Sequence, residues 1–172
     1  MNKEIESHTC INTIHVIYTA KVLLPQLKTR AQKGVRSGVM VTSSGLGIRP
    51  TAGTITYSAS KSFVGFLARG LNYECKNNGV DFLSFYAGEV STKMLNNRPA
   101  GLTVISAERA ADASLRDLGL ENHTRGSKRH EIFTHIFDSI PLSWMQALMF
   151  MVGKGVLKKI RARQESRDKK KE

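Results

Sequence analysis

The chain reads as an α/β domain built on a parallel sheet. Three observations predict this. Val39–Thr42 is a short apolar run ending in Ser43-Ser44, residues from Tyr57 onward form an amphipathic helical stretch, and Val80–Tyr86 is a second apolar run. Strand, helix and strand in that order call for a crossover, which joins parallel neighbours.

Each element follows from its local pattern. Ile11, Ile14, Ile17, Leu24 and Leu27 fall near one stripe and predict a helix over residues 8–30. Pro25 near its end signals a kink or an early stop. Lys33–Gly38 is a basic, glycine-bearing connector, and the strand at 39–43 follows it. A loop with Gly45, Gly47, Pro50 and Gly53 leads into a helix at about 57–77, whose apolar face is Phe63, Phe66, Leu67 and Leu71. Asn77-Asn78-Gly79 stops it, and the strand 80–86 comes next. Residues 87–104 read as loop. Ser106 caps a helix running to about Leu118, with Glu108 near its positive end. Glu131–Phe137 predicts a last strand and 142–163 a final helix.

The 172 residues, 41% hydrophobic, suit one domain of ordinary size. The net charge of +12 is unevenly spread: Lys154–Glu172 holds nine Lys/Arg against three Asp/Glu, or +6. That excess belongs to a tail, which binds anionic lipid or nucleic acid or is simply solvated. A nucleic-acid-binding domain is not indicated, because no stacking aromatics interleave with the basic residues. Cys10 and Cys75 show no metal or redox spacing, so a reduced compartment or a cytosol-facing surface is the simpler setting. Residues 1–10 are polar and mixed in charge, unlike a secretory leader.

Ile140–Gly153 is apolar for fourteen residues, short of the roughly 20 a membrane span needs. With Lys154, Lys158, Lys159, Arg161 and Arg163 following, it reads as an interfacial helix. A core helix or dimer contact with a basic end fits the composition equally.

The chemistry-bearing constellation is Tyr57 and Lys61, four residues apart, with Ser44 thirteen residues before the tyrosine. If Tyr57 opens a helix, Lys61 lies one turn on over the same face. A tyrosine alone titrates near pH ~10. A neighbouring cation lowers that value, so the phenol can exchange a proton near neutrality, as reduction of a carbonyl requires. Ser44 beside it can hold the carbonyl oxygen. The pair taken alone also fits a solvated helix surface.

The stretches "LLPQL" at Leu23–Leu27, "VTSSGLGIRP" at Val41–Pro50, "TYSASKSFVGFLARGLNYE" at Thr56–Glu74 and "EVSTKM" at Glu89–Met94 carry a resemblance. The chain resembles the C-terminal part of a short-chain dehydrogenase/reductase, nearest the membrane-bound branch containing very-long-chain 3-oxoacyl-CoA reductase and 17-beta-hydroxysteroid dehydrogenase type 12. The resemblance implies a Rossmann-like doubly wound parallel sheet and NADP(H) as cofactor. It implies that Tyr57 donates the proton, Ser44 binds the carbonyl oxygen, Lys61 tunes the tyrosine and holds the nicotinamide ribose, and Asn12 orders a water. A helix-surface asparagine is the alternative for Asn12. Tyr57, Lys61, Gly88, Val90 and Thr92 are the implied cofactor contacts. Ala87-Gly88 stands where the family usually has Pro-Gly, and Glu89 places a carboxylate that either repels an anionic cofactor or is exposed and screened.

The implied substrate is a lipid carbonyl, either a 3-oxoacyl-CoA or a 17-oxosteroid. The implied setting is the cytosolic face of the endoplasmic-reticulum membrane, and Lys169 and Lys170 match a dilysine retrieval signal. In the family the helices at 8–30 and 57–77 form the subunit interface, implying a homodimer or a heterodimer with a full-length relative. Residues 1–137 form a truncated catalytic half and 138–172 an apolar helix with a basic tail. Nothing before Asn12 supplies the strand, Gly-rich turn and helix that hold a pyrophosphate. Three missing strand–helix units amount to about 100 residues. The expectation is therefore a chain inactive by itself, with the 39–43 strand left with an open edge.

Overall fold

A computed structural model describes residues 3–50, 53–141, 143–145, 147–155 and 158. The helices are α1 (Lys3–Thr9), α2 (His15–Gln32), α3 (Ile55–Cys75), α4 (Ala107–Asp117) and α5 (Lys128–Asp138), with residues 143–145 and 147–155 also helical. The strands are β1 (Ser37–Ser44), β2 (Val80–Ala87), β3 (Glu89–Ser91), β4 (Val104–Ser106) and β5 (His123–Thr124). The main sheet is parallel, in the order β1-β2-β5, and β3 and β4 form a separate parallel pair.

β1 and β2 pair along their full lengths, from Ser37 opposite Val80 to Ser44 opposite Ala87. β2 is buried on both faces, as its nearly continuous apolar sequence requires. One face carries Val39, Val41, Val80 and Phe82, covered by Val16, Leu24 and Leu27 of α2 and by Val64, Ala68 and Leu71 of α3. The other carries Met40, Phe85 and Ala87, packed by Ala110 of α4, Ile105 of β4 and Val90 of β3. Helices thus lie on both sides of the sheet, the layering expected of a doubly wound domain. Phe82 is fully buried, and burial of such a side chain contributes about 1.5–3 kcal/mol. Its N–H is held by a side chain: Asn72 Oδ1, inside α3, accepts it at 2.9 Å.

Boundaries follow local chemistry. α3 ends where Lys76–Asn78 tightens into a 3₁₀ turn and Gly79 takes the left-handed conformation at φ 74°. Ser106 caps α4, its Oγ accepting the Arg109 N–H at 3.2 Å. Backbone and Ser106 hydroxyl hydrogen bonds hold the Glu108 carboxyl below its ordinary range. At the base of the sheet Arg36 grips the buried Asp81 carboxylate through both of its oxygens, at 2.8 and 2.9 Å.

Four expectations are corrected. Glu131–Phe137 is helix, part of α5, and the last strand among the described residues is β5. Ser127 starts that helix, its Oγ accepting from His130 N and its carbonyl from Glu131 N. α2 does not stop at Pro25 but runs to Gln32, held by Leu24 and Leu27 in the core. Residues 87–104 are not all loop, since β3 and the start of β4 lie there. Phe63 and Phe66 are exposed; the buried face of α3 is made by the smaller Val64, Gly65 and Ala68.

Among the described residues β1 has a neighbour on one side only, the open edge the sequence leads one to expect. No described helix is long and apolar enough to cross a membrane. In the 140–157 segment Met145 is buried while Trp144, Phe150 and Met151 are exposed. Most of the basic tail, including Lys169 and Lys170, lies outside the described residues.

Candidate active site

The C-terminal ends of β1 and β2 bring the predicted residues to one end of the sheet. Ser44 closes β1, buried, and its Oγ accepts the Leu46 N–H at 3.2 Å. The hydroxyl proton of Ser44 is left without an acceptor among the described residues. Tyr57 lies in the first turn of α3, half-buried, and the Lys61 ammonium stands 5.9 Å from its ring centroid. The predicted i, i+4 placement on one helix face is therefore observed. Lys61 Nζ also donates to the Thr42 carbonyl at 3.2 Å, which ties the side chain to β1. Burial pulls the Lys61 amine below its ordinary range.

Two further contacts fix α3 against β1. Ser43 Oγ donates to the Lys61 carbonyl at 2.6 Å. Gly47, in the 3₁₀ turn Gly45–Gly47, lies so near α3 that a Cβ would stand 2.8 Å from the Lys61 carbonyl carbon and the Ser62 nitrogen. Gly47 thus serves close packing. The loop does not lead straight into a helix, so it is not the phosphate cradle of a nucleotide-binding turn.

Asn12 lies in a π-helical segment, Cys10–Ile14, between α1 and α2. It lines a cavity of about 350 Å³ together with His15, Thr42 and Lys61. Asn12 and Lys61 thus share one cavity, although they come from different helices. Gly88 follows β2, Val90 lies in β3, and Thr92 begins the 3₁₀ turn Lys93–Leu95, its Oγ1 donating to the Val90 carbonyl at 3.4 Å. Glu89 is engaged by Arg98 at 3.3 Å and by the Thr103 hydroxyl at 3.1 Å. Its charge is balanced within its own loop.

Sequence reasoning missed three participants. The Thr42 carbonyl and the Ser43 hydroxyl hold Lys61, and only the strand–helix packing reveals them. His130 of α5 is the third: a Cβ on Gly88 would lie 2.8 Å from its ring, and its Nε2–H donates to the Thr103 carbonyl at 3.0 Å. α5 thereby closes over the Gly88 loop. Cys75 is a packing residue with its thiol pushed up by burial.

The short chain dehydrogenase family model matches residues 1–102. The chain belongs to the short-chain dehydrogenase/reductase family. Similar members include very-long-chain 3-oxoacyl-CoA reductase of Anas platyrhynchos, 30% identical over 91% of this chain and 49% of the relative. The Homo sapiens protein of that name is 28% identical over 82% and 44%. 17-beta-hydroxysteroid dehydrogenase type 3 of Rattus norvegicus is 30% identical over 76% and 43%. The chain thus spans about half the length of the relatives it matches. Solved folds agree. A 7beta-hydroxysteroid dehydrogenase superposes with a TM-score of 0.66 at 21% identity, over 81% of this chain and 54% of that one. A short-chain dehydrogenase from Burkholderia cenocepacia in complex with NADP gives 0.64 at 20% identity, over 86% and 60%. This member of the oxidoreductase family therefore has the family's Rossmann-like fold in its sheet and flanking helices.

Proposed function

We propose that this short-chain dehydrogenase/reductase chain is the carbonyl-binding half of an NADPH-dependent reductase of lipid carbonyls. The observation that carries the reading is the half-buried Lys61 ammonium held 5.9 Å from the Tyr57 ring, at the strand end that also carries Ser44. Ser44 receives one hydrogen bond and keeps its proton to donate to a carbonyl oxygen. Tyr57 gives that oxygen its proton. The Lys61 ammonium stands beside the Tyr57 ring as the phenol gives up its proton. Asn12 orders a water in the cavity it shares with Lys61; π-helical segments such as the one carrying it recur at functional sites.

The residues present fit the nicotinamide end of the cofactor. Lys61 spends one of three N–H donors on Thr42, leaving two for ribose hydroxyls. Tyr57, Gly88, Val90 and Thr92 complete the proposed contact set, and the Glu89–Arg98 pairing removes a repulsive charge from it. When bound, the reduced nicotinamide supplies a hydride. NADP is preferred over NAD by analogy with the reductive members of the branch this chain resembles. The pyrophosphate-holding half is supplied by further sequence or by another chain, so residues 1–172 alone do not turn over.

A 3-oxoacyl-CoA is the preferred substrate and a 17-oxosteroid the alternative, in line with the names of the relatives. The exposed Trp144, Phe150 and Met151, followed by Lys154 and Lys158, suit a helix resting on a membrane surface, here the cytosolic face of the endoplasmic reticulum. That helix and the tail, residues 138–172, form an appendage to a catalytic portion ending at 137. A second reading is a non-catalytic subunit that pairs with a second copy or a full-length relative. It is favoured by Ile11, Tyr18 and Val22 on the first helical stretch and Phe66 and Tyr73 on α3, all exposed.

The test is Tyr57→Phe in a chain completed with its nucleotide-binding half. Turnover is expected to vanish while NADPH binding is retained. Normal turnover in that variant removes the reductase reading and leaves the subunit reading.

A further inference from the structure

A second cavity lies away from Tyr57, between α4 and the start of α5. It has a volume of about 480 Å³ and is lined by Arg109, Asp112 and Arg116 of α4 and by Ser127, Lys128 and Arg129 at the head of α5. Four cations face one carboxylate there. Arg109, Lys128 and Arg129 make no ion pair among the described residues, and Arg116 reaches only Asp117, at 3.7 Å. This cluster is distinct from the basic tail. Like charges from two elements repel one another in a shared cavity, and the arrangement is relieved when an anion enters.

The backbone adds to the side chains. Ser127 receives the N–H groups of His130 and Glu131, so those donors are spent. The N–H groups of Lys128 and Arg129 in the same first turn have no acceptor within the helix. They lie at the positive end of an eleven-residue helix, beside the guanidinium groups. Guanidinium forks match phosphate oxygens in geometry as well as charge.

The head of α5 connects this cavity to the candidate active site. His130, the residue after Arg129, rests its ring on Gly88. A ligand anchored by phosphate at the head of α5 is thereby close to the loop that closes the carbonyl-reducing end of the sheet.

We propose that this cavity binds the phosphates of a phosphorylated ligand, and that the ligand is the CoA portion of an acyl-CoA substrate. A steroid carries no anion to use it, so the site selects between the two substrate classes. The CoA assignment rests on the reductase reading; the phosphate site itself does not. A phospholipid headgroup offers the same chemistry and is separated from CoA by the test.

Calorimetric titration of the full chain with inorganic pyrophosphate and with CoA, and flotation with vesicles containing phosphatidic acid, read the site without any turnover. Saturable binding of pyrophosphate and CoA is expected. Arg109→Gln with Arg129→Gln is expected to weaken both by about tenfold or more, since each removes a charge-assisted bond. Asp112→Asn is expected to tighten them by roughly threefold, by removing a repulsive charge. Lys169→Gln, Lys170→Gln and Lys171→Gln together are expected to leave CoA binding unchanged. All the substituted side chains described are exposed, and unchanged thermal melts verify the fold. If pyrophosphate binding and vesicle capture depend on Arg109 and Arg129 while CoA does not bind, the phosphate site stands and the CoA assignment falls. Equal binding by the wild type and the double variant, or binding lost with the tail lysines alone, overturns the site.

Discussion

Replacing Gly47 by alanine tests how the candidate site is held together. The added Cβ would stand 2.8 Å from two backbone atoms of α3, the Lys61 carbonyl carbon and the Ser62 nitrogen, and 3.0 Å from the Lys61 oxygen. None of these atoms can rotate aside. Restoring ordinary contact, at 3.4 Å or beyond, requires the loop and helix to part by about 0.6 Å. The same Lys61 oxygen receives the Ser43 hydroxyl at 2.6 Å, so the parting also strains that bond. Overpacking of this kind costs about 1–3 kcal/mol, which in a chain of this length lowers the melting temperature by roughly 3–9 °C. Circular dichroism melts measure it directly. Two glycines serve as controls. A Cβ on Gly45 meets only the Ala87 oxygen at 3.7 Å, and one on Gly70 meets nothing within 4 Å. Gly45→Ala should be near neutral. Gly70→Ala, inside α3, should stabilise by about 0.5–1 kcal/mol. If Gly47→Ala melts with the wild type, or if all three variants shift alike, the close approach does not govern the stability of this loop.

Two further predictions follow from polar groups held in or near the core. Asn72→Ala removes the acceptor of the buried Phe82 N–H; leaving that donor unpaired should cost about 1–3 kcal/mol, read from denaturant midpoints at constant slope. Lys61 titrates below its ordinary value of 10.5 in the folded chain because burial disfavours its charge. Between the folded and unfolded pKa values the unfolded chain binds more protons, so this group adds stability as pH rises through that window. Below the folded value the penalty on the ammonium is present in full. The stability difference between wild type and Lys61→Met should therefore move in favour of the wild type as pH rises from the lowered folded value toward the ordinary 10.5, and a pH-independent difference would refute the burial argument.

The central unit was the most legible part of the sequence. Val39–Thr42, Tyr57–Asn77 and Val80–Tyr86 lie within a few residues of β1, α3 and β2, because buried parallel strands and a long amphipathic helix leave strong local patterns. Ser106 and Glu108 predicted the start of α4 for the same reason: a cap is a local device. Glu131–Phe137 failed because Ile132, Phe133, Thr134 and Ile136 have the composition of a strand, whereas Ser127 and the exposure of Ile132 and Ile136 place them on a helix face. The two-residue strand β5 and the three-residue strands β3 and β4 are too short to leave a period. At the site, the Tyr57–Lys61 spacing was readable. The Thr42 carbonyl and the His130 ring were not, since a backbone oxygen has no sequence signature and His130 lies far along the chain from Gly88.

The containment of Ser44, Tyr57, Lys61 and Thr42 within β1–α3–β2 has a kinetic side. One β1–α3–β2 unit, Ser37–Ala87, closes all of these contacts, and the strand pairing that fixes them has a single register. Loop-closure entropy grows only slowly with length, and the ordering of these four residues depends on one closure event. Asn12, reaching the same cavity from the preceding helix, is the member whose placement must await a second docking step. Under folding conditions the tyrosine–lysine geometry should therefore assemble as a unit, ahead of Asn12, and slow docking of α2 would delay the placement of Asn12 without disturbing the pair.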